Sequence, residues 1–255
     1  NAKEYVPSEF PVNNLTFTYM NDVASPSDKF LSTDKDNVFV AWKWTPVKHM
    51  NYFERYNLMY DKEWHNGLRA TVQFRHERNE GAGDLFYQPL DAEGLPSADP
   101  ASHLKRLAFS EATLGLQFRP NASYVNTKQR RLVTNLDAPI FGLQHTMGLK
   151  GVFGGEYRYN FTEASVYKRF WMRSWGKLDV LAKAGAQWNK VPYPFLIMPA
   201  SNLSYIIDTR SFRLIRNMEF LNDRYASAIL NWDLNGKLFN RIPLLRELKW
   251  RENIG

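Results

Sequence analysis

The chain is 255 residues long, has no cysteine and carries a formal net charge of +7. Without cysteine there is no disulfide framework of the kind that staples small secreted domains, and no run of about 18 apolar residues supplies a membrane-spanning helix. A mean hydropathy of -0.48 leaves a spanning barrel open, because half the residues of a barrel strand are polar.

Residues 1–13 read as extended and irregular. A first strand is expected from Leu15 to Tyr19, followed by a turn-rich stretch at 21–36. Residues 37–44 (NVFVAWKW) are apolar on both faces, as in a tightly neighboured strand. The strongest hairpin follows. In 53–64, Tyr56, Leu58 and Tyr60 share one side, while Arg55, Asn57 and Asp61 share the other. His65, Asn66 and Gly67 turn the chain, and an Asn-Gly pair is a strong tight-turn signal. In the returning segment 68–77, Leu68, Ala70, Val72 and Phe74 alternate with Arg69, Thr71, Gln73, Arg75 and Glu77. Successive strand side chains point to opposite faces, so one face is apolar and the other ionic. Segments of about 9–11 residues match the length a tilted strand needs to cross a bilayer.

Residues 79–108 form a connection too long for an ordinary hairpin loop. Outer-membrane barrels alternate short turns on one side with long loops on the other, and a three-residue turn next to this connection fits that habit. Alternation resumes at 110–119, with Ala112, Leu114, Leu116 and Phe118 against Glu111, Thr113, Gln117 and Arg119. After a basic connector (NTKQRR, 126–131), a shorter strand is expected near 139–147. A second hairpin runs from 161–173 through SWGK to 177–188, with Leu178, Val180, Ala182, Ala184, Ala186 and Trp188 opposite Lys177, Asp179, Lys183 and Gln187. The last third contains a Pro-rich loop at 191–203, a segment at 212–220, a strand at 225–234 and a short helix at Pro243 to Leu248. About ten strands are expected, with no domain boundary. The whole of 1–255 reads as one mature barrel domain truncated at both ends, its targeting segment lying outside the chain.

Motif chemistry is sparse. The histidines at 49, 65, 76, 103 and 145 make no metalloprotease helix pair, and Glu63, His65 and His76 read as a solvated turn. There is no G-x-S-x-G elbow and no phosphate-binding glycine loop. No catalytic residue, cofactor or metal is expected. The basic residues are dispersed over alternate strand positions, which argues against nucleic acid as a partner. Tyr and Trp at strand ends suit the headgroup level of a membrane. Arg55, Asp61, Arg69, Arg75, Arg119 and Lys183 are expected to face the lumen as a hydrated wall, or to form a field that selects what passes or docks.

The run FRLIRNMEFLNDRYASAILNWDLNGKLFNRIPLLRELKWR at 212–251 resembles the C-terminal region of an uncharacterised Bacteroidota outer-membrane family. MNYFERYNLMYDKEW, HNGL, LFYQP and VPYPFLIMP resemble its middle portion. Its members pair an N-terminal carboxypeptidase-regulatory-like domain with a β-barrel similar to those of the assembly-factor and translocation superfamily. The resemblance implies no catalytic residues. It carries over only motif positions: Glu219, Asp223 and Arg224 in EFLNDRY, and Asn240, Arg241, Ile242 and Pro243 in the turn.

The expected fold is all-β, an antiparallel transmembrane β-barrel of which about ten strands of a larger barrel are present. The expected setting is the outer membrane of a Gram-negative bacterium, with lipid around the wall and other envelope proteins as clients for assembly or translocation. The alternatives are a passive or selective channel and a soluble β-sandwich that binds a ligand.

Overall fold

A computed structural model describes residues 12–25, 50–82, 85–89, 95, 97, 99–126, 131–192, 195–202, 204, 210–216 and 218–255. The expected strand at 37–44 lies outside these residues. Among the described residues there are eleven strands, in chain order: β1 (Asn13–Ala24), β2 (Asn51–Glu63), β3 (Leu68–Gly81), β4 (Arg106–Phe118), β5 (Tyr124–Asn126), β6 (Arg131–Val133), β7 (Ile140–Gly148), β8 (Asn160–Trp171), β9 (Lys177–Gln187), β10 (Arg224–Asp233) and β11 (Asn253–Ile254). A short helix, α1 (Pro243–Glu247), begins with proline at its first turn, where a missing N–H costs no helical hydrogen bond. Nine strands form one antiparallel sheet in the order β1-β2-β3-β4-β7-β8-β9-β10-β11, and β5 pairs with β6 in a separate hairpin.

The expected barrel is not closed among the described residues. β1 pairs only with β2, and β11 extends the opposite edge by two residue pairs, Trp232–Ile254 and Asp233–Asn253. Two local expectations also change. The first strand extends well beyond Leu15 to Tyr19 in both directions. In the segment 212–220, Phe212 makes an isolated bridge to Ser201, and just beyond it Asn222 makes one to Ile197. The SWGK turn is tightened by a 3-10 turn at Arg173–Trp175.

Short turns gather at one end of the sheet, where residues 64–67 and 172–176 close the β2–β3 and β8–β9 hairpins. The opposite, loop end carries residues 149–159 and the described residues of 82–105 and 188–223. The connection 119–139 is the exception, since it carries the β5–β6 hairpin at the short-turn end. Gly67 has φ +83, and a Cβ there would lie 2.2 Å from the Arg119 carbonyl oxygen. The Asn-Gly signal therefore marks both a left-handed turn and a close approach of two backbones.

The two faces of the sheet differ in kind. The register places Leu15, Tyr60, Val72, Leu114, His145 and Thr162 on one face with their strand mates at alternate positions. On this outer face Leu15 is 71% exposed, and Val72 and Leu230 are each 54% exposed. The inner face carries the ions, yet Asp61 is only 5% exposed, and Glu77 and Glu111 are equally buried. The small apolar core of Tyr87, Leu107, Phe109, Tyr159, Val191 and Phe195 lies toward the loop end. This inverts the arrangement of a soluble sheet, in which apolar residues are packed and charged ones solvated.

Candidate functional site

Alternation fixes which residues face inward, and register fixes which of them meet. Arg55 on β2 is ion-paired with Glu77 on β3, and Arg75 on β3 with Glu111 on β4. Asn79 adds a 3.1 Å hydrogen bond to Glu77, and the Tyr159 hydroxyl donates to Glu111. Tyr159 comes this close because its ring lies against Gly148, where a Cβ would sit 2.3 Å from ring carbons. Toward the short-turn end, Arg69 donates to Asp61 at 3.0 and 3.2 Å. Arg169 holds Asp179 at 2.6 and 2.9 Å, and Lys177 lies 3.5 Å from Asp233. Neutral pairs fill the centre, Gln73 with Asn57 at 2.6 Å and Thr113 with Thr146 at 2.9 Å.

A strap crosses this wall. Beyond β9, the described residues of the stretch 188–223 lie over the inner face, with Phe195, Ile197, Met198 and Phe212 opposite the wall residues of β3, β4 and β7–β10. The bridges Ile197–Asn222 and Ser201–Phe212 hold its shape, and Phe195 packs on Phe109 and Tyr159 with ring centroids 5.3 and 4.7 Å apart. Strap and wall enclose a cavity of about 500 Å³. Its wall side includes the Arg75–Glu111 pair, Lys183, and Glu163, which accepts a 2.6 Å hydrogen bond from the Tyr225 hydroxyl.

Five of the six residues expected on the lumen side lie on this wall: Arg55, Asp61, Arg69, Arg75 and Lys183. The first four are engaged in ion pairs. Lys183 sits between Ser165 and Ser227 in the neighbouring strands. Arg119 is the exception, because β4 ends at Phe118. Its N–H donates to the Gly67 carbonyl at 2.8 Å, and its guanidinium reaches the Asn135 carbonyl at 3.4 Å, so it braces the turn. The motif positions do not converge. The Glu219 carboxylate accepts from the Arg216 N–H at 2.8 Å, the Asp223 carbonyl accepts from the Gln187 N–H at 2.7 Å, and Arg224 opens β10, all at the loop end. Asn240, Arg241, Ile242 and Pro243 lie beyond the other end of β10, about 33 Å away at the rise of a strand.

The acidic partners Glu77, Glu111 and Asp179 were legible as polar-face residues, but their pairing was not. The strap had one signal, the apolar run Phe195 to Met198 inside a proline-rich stretch.

The outer face holds a buried polar pair. His76 Nδ1 lies 2.9 Å from Ser110 Oγ, whose hydroxyl donates to the Val152 carbonyl at 2.7 Å. With that proton committed, His76 is the donor toward Ser110, and the serine is not poised as a nucleophile. Phe153 covers the pair from the 149–155 loop, its ring 6.0 Å from His76 and 5.9 Å from Phe74. His76 is far along β3 from Glu63 and His65, so those three residues do not meet. Among the described residues, no group of three or more His, Cys, Asp or Glu is placed to hold a metal.

A family model described as the C-terminal domain of a family of unknown function, DUF5686, matches residues 47–255. No curated protein matches the chain.

Proposed function

The chain belongs to the DUF5686 family, matched over most of its length by the C-terminal domain, and from that premise we propose that it is wall of an outer-membrane β-barrel in a Gram-negative bacterium. There it takes part in assembling or translocating other envelope proteins and catalyses no reaction. The observation that carries the membrane reading is the inverted polarity of the sheet. Water would leave Leu15, Phe17, Leu58, Val72, Leu143 and Leu230 as a continuous exposed apolar face, far beyond the patches a soluble monomer tolerates. Hydrocarbon solvates the same face at no cost, and the buried ion pairs then line the interior.

Aromatic residues support the same placement. Tyr19, Tyr52, Tyr56 and Trp188 ring the loop end of the outer face, and Trp64, Trp175 and Trp232 ring the short-turn end. Two such girdles flank the apolar band of a spanning barrel. A soluble β-sandwich would need a second layer on the apolar face, and the described residues supply only the 149–155 loop at its margin.

The assembly role rests on the edges. β1 and most of β10 present one side without a strand partner among the described residues. In lipid each unsatisfied backbone group costs several kcal/mol, so these edges favour the addition of a strand, either to close the barrel or to template a client. A selective channel is less well supported. The wall ions neutralise one another in pairs, and the strap occupies the interior. The Bacteroidota setting and an N-terminal carboxypeptidase-regulatory-like domain belong to the same proposal and rest on the sequence resemblance.

Depletion of the full-length protein is expected to lower the level of particular outer-membrane or surface proteins. Unchanged levels overturn the assembly role. Steady, ion-selective conductance in planar bilayers would favour the channel instead.

A further inference from the structure

Residues 237–251 form a compact cap beyond the short-turn end of β10. Leu234 is buried beneath it and its N–H donates to the Glu252 carbonyl at 3.0 Å. Phe239 and Leu245 are half-buried, and the cap turns its other large apolar side chains outward. Leu238, Ile242, Leu244, Leu248 and Trp250 are all exposed, Leu244 at 74%. Between them stand Lys237, Arg241, Arg246, Lys249 and Arg251, with Glu247 as the single acid in the run. Arg246 meets that acid at 3.8 Å, both groups being largely solvent-exposed. A solvated cap has no use for five exposed large apolar residues in such a stretch, and a core element would not carry five cations.

The cap is also continuous with the outer face. Trp232, on the outer side of β10, donates its indole N–H to the Trp175 carbonyl at 2.9 Å. The Lys237 ammonium sits 3.9 Å from the centre of the Trp175 ring and 2.9 Å from Ser174 Oγ. The girdle tryptophans of the short-turn end thus lead directly into the basic, apolar cap. Lys62 over Trp64, at 5.4 Å, repeats the same pairing of cation and indole farther along the rim.

We propose that residues 237–251 lie in the headgroup layer of the leaflet at the short-turn end and bind anionic phospholipid, with Leu244, Leu248 and Trp250 inserted and the cations on phosphate. The occupant is argued from charge and from continuity. Alternating Lys or Arg with Trp and Leu is the composition of a segment that lies in the interface plane, and each basic residue near an anionic surface strengthens attachment. This assignment rests on the membrane reading above and deepens it.

Because the chain has no cysteine, single labels report each surface separately. The full chain is folded into vesicles of phosphatidylcholine with phosphatidylglycerol, carrying an environment-sensitive fluorophore on Leu230→Cys or on Leu244→Cys. Blue-shifted emission is expected at both positions. The shift at 244 is expected to fall back toward the aqueous value in phosphatidylcholine alone and in the R241Q/R246Q/K249Q variant. A blue-shifted label at 230 with an aqueous one at 244 overturns the cap assignment and leaves the membrane reading standing; a cap that docks on protein would give this result. An aqueous label at 230 overturns both. A shift at 244 that persists unchanged in neutral lipid overturns the role given to phosphate.

Discussion

The guanidinium of Arg75 donates to the carboxylate of Glu111 across the β3–β4 pair, at directly opposed positions on the inner face. The contact ties the wall to the strap, because Glu111 also receives the Tyr159 hydroxyl and Tyr159 packs on Phe195. Replacing Glu111 by Leu strands a buried guanidinium, and a loss of about 3–5 kcal/mol is expected. The double variant R75M/E111L recovers most of that loss, since no charge is then left unpaired. Urea unfolding of the two single variants and the double in detergent micelles measures the coupling.

Val72 and Leu230 separate the membrane reading from the soluble one. At an ordinary exposed site, Val72→Arg or Leu230→Arg changes stability by no more than about 0.5 kcal/mol. Facing hydrocarbon, each is expected to cost about 2–4 kcal/mol near the bilayer midplane. Unfolding free energies in vesicles decide between the two, and values near zero for both positions count against lipid contact.

Gly67 and Gly154 test the turn geometry. Both have φ of +83, but a Cβ at Gly67 meets the Arg119 carbonyl at 2.2 Å, whereas one at Gly154 meets nothing within 4 Å. Gly154→Ala therefore carries only the conformational cost of about 1 kcal/mol. Gly67→Ala adds a backbone clash and is expected to cost at least about twice as much, with parallel melting curves as the measurement.

Glu252 gives the cap a pH dependence. Burial alone would raise its pKa, but the backbone N–H groups of Phe239, Glu252, Leu238 and Gly236 hold it below the ordinary value of 4.5. A folded-state value below the unfolded one stabilises the cap above about pH 4.5, and that stabilisation is lost as pH falls through the folded value. Amide exchange at Phe239, taken relative to its intrinsic rate at each pH, is expected to accelerate on acidification from about pH 6 to about pH 3. In Glu252→Gln it is fast throughout, and an unchanged pH profile in that variant would refute the assignment.

Strand positions and their two faces were legible in the chain itself. Leu68, Ala70, Val72 and Phe74 fall on one side of β3, and Arg69, Thr71, Gln73 and Arg75 on the other, because the period of two is a property of extended backbone and needs no partner. The Asn66-Gly67 turn and the helix opened by Pro243 were readable for the same local reason. Tertiary structure decided everything that depends on two distant segments meeting. Register set Glu111 directly across from Arg75, and packing turned Arg69, which stands opposite Glu63, diagonally onto Asp61; alternation leaves both choices open among all inward acids. The close approach of Gly67 to Arg119 ended β4 at Phe118 and took Arg119 off the wall. The skip from β4 to β7 and the packing of Phe195, Ile197 and Phe212 over the inner face likewise arise from long-range packing. Sequence gives each strand its two faces; only the assembled sheet determines what each face meets.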